Sequence, residues 1–126
     1  MSKPRLTRVV AIGFAMGSVE HLIGLVLHGL HIEVVAHYPA WRHAAFALVD
    51  AGIAFVGFTR PRRLFVPVLA FLIEQILING TEAWRTWRTS GEILWLVPVM
   101  IVLIGLAAAV ALRERLTETG PTAIAR

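Results

Sequence analysis

Five residues of this chain pair proton-transfer chemistry with an apolar setting: Glu20, His21, His28, Asp50 and Glu74. Carboxyls and imidazoles are the side chains best suited to giving and taking protons near neutral pH. Each of the five sits within a run of mainly aliphatic residues. Ionisable groups in apolar helices are costly, and they mark functional sites by default. A carboxyl in low dielectric can stay protonated and donate at neutral pH, with a neighbouring imidazole or carboxylate as base. Glu20, Asp50 and Glu74 are the acid candidates, with His21 and His28 as partners. The amides of Gln75 and Asn79 can orient a substrate oxygen, and Trp95 can supply a pocket wall. Such a set suits isomerisation, cyclisation, or epoxide opening or hydrolysis of a lipophilic small molecule that enters from a bilayer. It needs no cofactor.

Other chemistries draw on other residues. His28 and His31 are three apart on one helical face, and His43 begins the next apolar run. With a carboxylate they would form a site for a divalent metal such as zinc, iron or manganese. Five histidines are too few for the histidine-box di-iron hydroxylases. Bis-histidine haem would need His28 or His31 with His43. The absence of cysteine excludes covalent haem, thiolate metal sites and a cysteine nucleophile. Buried acids and imidazoles also serve as proton relays. A proton-coupled transporter or an accessory subunit of a membrane complex is therefore the alternative function. Four spans are few for a transport pathway, so that version requires a homo-oligomer or a larger assembly.

The elements that must position these groups follow from hydropathy. The chain has 126 residues, 57% of them hydrophobic and 16% charged, far from the average of soluble domains. Four apolar segments stand out: 9–31, 43–58, 64–80 and 93–112. A span needs roughly 17–25 residues, so the middle two extend into their flanks. The expected fold is a single-domain, all-α integral membrane protein: a bundle of four transmembrane helices. Residues 1–8 are basic and lead into a run too long for a signal peptide, which reads as a retained first helix. Pro39 and Pro61 fall in connections. Pro98, inside the fourth segment, predicts a kink.

The net charge of +4 reflects orientation and gives no support to nucleic-acid binding, because no interleaved basic and aromatic patch exists. Lys3, Arg5, Arg8, Arg60, Arg62, Arg63, Arg113, Arg115 and Arg126 would lie on one side. Only Arg42, Arg85 and Arg88, in the outer loops, would lie on the other. This bias puts both termini in the cytoplasm, in a bacterial-type inner or plasma membrane. Tyr38, Trp41, Trp84, Trp87 and Trp95 then form the outer aromatic belt.

At about 100° per residue, with Glu20 as zero, Gly13, Gly17, Gly24, His28 and His31 fall within about 80°. His21 lies at the margin. This face should point into the bundle, since small residues allow close helix approach. On the second helix His43, Ala47, Asp50, Ala54 and Gly57 share a face. On the third, Glu74 lies with Pro67, Ala70 and Thr81, while Gln75 and Asn79 form a flank. Depths reckoned at ~1.5 Å per residue place Asp50 and Glu74 between a deep pair, Glu20 and His21, and an outer pair, His28 and His31. The expected site is an elongated pocket walled by the first helix.

Overall fold

The computed structural model describes residues 6–32 and 39–118, which fold into helices with no strand. Lys3, Arg5, His37, Tyr38 and Arg126 lie outside the described residues. The chain divides into two compact units, Met1–Pro61 and Arg62–Arg126.

In the first unit α1, Leu6–Gly29, packs against α2, Ala40–Thr59. The buried positions of α1 are Thr7, Ala11, Phe14 and Ser18, spaced four, three and four apart as one helical stripe requires. On α2 they are Ala47, Asp50, Ile53, Ala54 and Gly57. The register is antiparallel: Gly17 meets Asp50, Ser18 meets Ala47, and Gly24 meets His43. Two glycines are required by these contacts. A Cβ on Gly17 would stand 2.7 Å from Asp50 Oδ2, and one on Gly24 would stand 2.9 Å from His43 Cε1 and Nδ1. Gly13 meets nothing within 4 Å. The expected glycine face is thus only partly used, and its centre is displaced. Ser18 is buried and His21 half-buried, whereas Glu20 is exposed.

The first helix also ends earlier than its hydropathy suggests. Ile32 N–H donates to Leu27 O at 3.0 Å and His31 N–H to His28 O at 3.1 Å. These are the two bonds of a Schellman cap. The cap places His31 in the left-handed region, with φ 56. His31 therefore does not continue the face of His28.

A 3₁₀ turn, Pro61–Arg63, opens at the last residue of the first unit and leads into α3, Phe65–Gln75, in the second. A π turn, Ile76–Gly80, joins it to α4, Thr81–Ser90. The stretch after Gly80, expected as a loop, instead continues the rod. Nothing in Thr81–Ser90 breaks a helix, and the hydroxyls of Thr81, Thr89 and Ser90 fold back onto main-chain carbonyls one turn earlier. Gly91, at φ 73, ends it as a left-handed C-cap glycine should. The last helix, α5, runs Leu96–Glu118. Pro98 lies in its first turn, where a missing N–H costs nothing, so the expected mid-helix kink has no basis. Val68 on α3 and Ile104, Ala108 and Ala111 on α5 are buried.

Among the described residues three helical stretches are long and apolar enough to cross a membrane: Leu6–Gly29, Pro61–Ser90 and Leu96–Thr117. The remaining helix, α2, spans 20 residues and carries Arg42, His43 and Asp50.

Gly17→Ala should destabilise by about 1–3 kcal/mol through overpacking, while Gly13→Ala should be neutral or stabilising by up to about 1 kcal/mol. His31→Gly should stabilise by about 1 kcal/mol, because glycine adopts the left-handed cap without a Cβ penalty. Thermal unfolding in detergent micelles checks both effects. Equal effects of the two glycine substitutions would contradict the seam.

Candidate functional site

The α1–α2 seam brings Asp50, His21 and His43 into one line. Asp50 sits mid-way along α2 with only 4% of its surface exposed. One of its oxygens, Oδ2, lies 3.9 Å from His21 Nε2. The other, Oδ1, is buried and has no hydrogen-bond partner among the described residues, a costly state for a carboxyl. A proton, or a polar atom of a bound molecule, would relieve it. His21 turns its second nitrogen, Nδ1, to His43 Nδ1 at 3.5 Å. The two ring centroids are 5.7 Å apart, close to the farthest that two imidazoles with nitrogens at this separation can lie. The nitrogens therefore point at each other head on. That is the geometry of a shared proton, since nitrogens that bind one metal converge on a third point.

Neighbours hold this line in place. Ser18 Oγ donates to Ala47 O at 2.8 Å across the seam, one turn from His21 on α1. Phe46 stacks on His21 with centroids 5.2 Å apart and planes 23° from parallel. Arg42 in turn lies over the Phe46 ring at 5.5 Å. The charge of Glu20 acts on both His21 and Asp50 from the exposed side of α1.

The protonation states are linked. An ionised Asp50 can only accept, so His21 would donate from Nε2 and accept at Nδ1. His43 would then donate from Nδ1 and keep a basic Nε2. A proton arriving at His43 Nε2 could shift the Nδ1 proton to His21 and the Nε2 proton of His21 to Asp50. The result is a neutral carboxyl at the buried end. Both separations exceed an ordinary hydrogen bond, and the Asp50–His21 contact must close by about 1 Å.

The other expected residues are placed differently. His28 is exposed on α1, and His31 leaves the helix at its cap. His43 faces His21, so the set His28, His31 and His43 is not assembled. Among the described residues no group of three His, Asp or Glu side chains could hold a metal ion.

Glu74, Gln75 and Asn79 belong to the second unit and form their own ladder. Gln75 Nε2 donates to Glu74 Oε2 at 2.7 Å, and Asn79 Nδ2 donates to Gln75 Oε1. Gln75 is buried while Glu74 and Asn79 are half-buried, so Gln75 is internal and Glu74 flanks it, the reverse of the expected order. The π turn explains how this stripe continues. Its i→i+5 pattern absorbs about one extra residue and rotates the succeeding helix, α4, back by roughly 100°. Gly80, Ala83 and Trp87 then share the side of Gln75. They line an apolar groove of about 270 Å³ with Trp84, Leu94, Val97, Pro98 and Ile101. Trp84 and Trp87 have centroids 4.9 Å apart. Trp95 is 69% exposed and does not line the groove.

By sequence alone His43 reads mainly as a metal ligand, and neither Ser18 nor Phe46 stands out. A signal for His43 is present, since it precedes Asp50 by seven residues, two helical turns. Ser18 and Phe46 carry none, because their roles depend on the inter-helix register. No protein-family model, curated protein or solved structure matches the chain.

The linked line makes a spectroscopic prediction. Two-bond ¹H–¹⁵N spectra should show His21 as the Nε2–H tautomer while Asp50 is ionised. Asp50→Ala should turn His21 into a tautomer mixture and shift His43 as well. Unchanged imidazole signals in that variant would break the proposed line.

Proposed function

We propose that this chain is an integral membrane protein of four spans, and that α1 and α2 carry an intramembrane acid–base site for a lipophilic small molecule. The observation that carries the reading is the buried carboxyl of Asp50, with one unpartnered oxygen and the other turned to a His21–His43 pair. A carboxyl so placed serves as proton donor or acceptor at a reacting atom, and the two imidazoles replenish or remove its proton. Isomerisation, cyclisation, or opening or hydrolysis of an epoxide are reactions such a site could run without a cofactor. His28 has no part in it. Glu74, with Gln75 and Asn79, supplies a separate polar ladder beside the apolar groove of the second unit.

Membrane placement is supported by the surface. Leu48, Met16 and Phe55 are 76%, 68% and 66% exposed, as residues against lipid would be and residues in water rarely are. The Pro61–Ser90 rod of 30 residues is ~45 Å long, beyond the ~30 Å hydrocarbon core. Its last turns, with Trp84, Arg85, Trp87 and Arg88, would then stand at the interface. Arg8, Arg60, Arg62, Arg63, Arg113 and Arg115 would face the cytoplasm by the positive-inside bias, in a membrane of the bacterial inner or plasma type.

A second reading is proton-coupled transport, alone or as part of a complex. It is favoured by the order Asp50, His21, His43, which runs from the middle of α2 towards its first turn as a proton path would. One experiment separates the two. Purified protein is reconstituted in liposomes with a hydrophobic cell extract in D₂O. Catalysis in this medium, also enriched in ¹⁸O, should leave carbon-bound deuterium, or ¹⁸O where an epoxide is hydrolysed, in one lipophilic species, with at least a tenfold loss in Asp50→Asn and in His21→Gln. Proton flux under a valinomycin-imposed potential, without incorporation of either label, would select transport. Neither signal from folded protein would overturn both readings.

A further inference from the structure

Glu20 breaks the usual rule for acids in apolar helices. Such groups face a bundle interior or pair with one another, yet Glu20 is exposed on α1, on the side away from the α2 seam. Among the described residues it makes no hydrogen bond or ion pair. It does not stand among polar neighbours. Ile12, Met16 and Glu20 form one ridge at spacing four, and Ala15, Val19 and Ile23 form the next. The furrow between the ridges is open and holds about 440 Å³, bounded by aliphatic and thioether side chains with one carboxyl at its edge.

We propose that this furrow binds a lipophilic organic cation, an amine or quaternary ammonium, with Glu20 as its counter-ion. Charge complementarity selects the occupant. A neutral apolar molecule would bury its surface here and leave the carboxyl uncompensated, and an anion would be repelled. A small hydrated ion would gain nothing from the aliphatic walls. A cation carrying its own apolar groups satisfies both features at once. The proposal goes beyond the acid–base reading: the furrow lies across α1 from the Asp50 line, so its occupant is a ligand of a second site, and its binding does not depend on that reading. Glu20 adjoins His21 in sequence, and its charge acts on His21 and Asp50. A bound cation would therefore be sensed by the proton line on the opposite face of α1.

The test uses a pair of probes alike in shape and opposite in charge, tetraphenylphosphonium and tetraphenylborate. Equilibrium dialysis against the full chain in micelles should show saturable binding of the phosphonium, at least tenfold tighter than of the borate. Glu20→Gln should abolish the preference, and Glu20→Asp should keep it with weaker binding. Glu82→Gln, on the exposed surface of α4, should leave it unchanged. Equal affinity for the two probes, or phosphonium binding unaltered in Glu20→Gln, overturns the proposal. So does a Met16→Cys protein that cross-links between copies and excludes the probe, since that gives the furrow to a second chain. The outcomes stay separate from the acid–base reading. Label incorporation without phosphonium binding sinks only the cation site, and phosphonium binding without incorporation or proton flux sinks only the acid–base site.

Discussion

The first unit depends on how a carboxyl is seated between two helices. Asp50 points into α1, and it fits there because Gly17 has no Cβ, whose ideal position would lie 2.7 Å from Oδ2. The next residue, Ser18, donates to Ala47, one turn before Asp50 on α2, and nearly two turns further along α1 Gly24 admits the His43 ring. These three contacts are rungs of one antiparallel register. A slip of a single residue would rotate α1 by about 100°. It would set Met16 or Ser18, each with a Cβ, where Gly17 now admits the carboxyl. The same rungs that let the helices approach also aim His21 at both Asp50 and His43, so packing and chemistry are satisfied by one arrangement.

The four helical rods were legible from hydropathy, because length and apolarity are properties of a segment alone. Their ends were not, because ends depend on local hydrogen bonding. Histidine at position 31 gave no sign that it would take a left-handed cap usually occupied by glycine. The polar composition of Thr81–Ser90 read as a loop, yet its hydroxyls turn back onto carbonyls within the helix. Pro98 read as an interior residue only because Ile93–Trp95 were counted as helix. With α5 beginning at Leu96, the same proline sits where its ring is tolerated.

The candidate site was legible in its residues and less so in its direction. Residue spacing gives angles between side chains on one helix, but it does not say which angle faces the neighbour. Glu20 lay at one edge of the polar set, all of which falls to one side of it on the helix. The seam runs through Ser18 and His21, on that side. What decides the matter is on the other helix: the bulk of Asp50 and His43, which can be accommodated only opposite Gly17 and Gly24. Gly13 lies on the same face and meets nothing, so a shared glycine face alone was insufficient. In the second unit the π turn similarly defeats extrapolation. An unbroken α-helix through Ile76–Gly80 would carry Trp84 and Trp87 away from Gln75, and the extra residue of the π turn brings them back.

Displacing the seam from Glu20 to His21 has a chemical result. It puts two carboxyls on either side of one imidazole-bearing helix, Asp50 within the packed interface and Glu20 in an apolar furrow. They do not touch, so they cannot share one proton. Each still feels the other's charge through the low-dielectric width of α1. Whatever neutralises Glu20, a proton or an organic cation, changes the cost of charging Asp50 and His21. By thermodynamic reciprocity, the proton occupancy of that line must then change how strongly Glu20 holds its partner. A helix that confined both acids to one pocket would couple them more strongly but would leave no separate place for a cation. Separation by one helix keeps the two carboxyls out of contact while their charges stay linked.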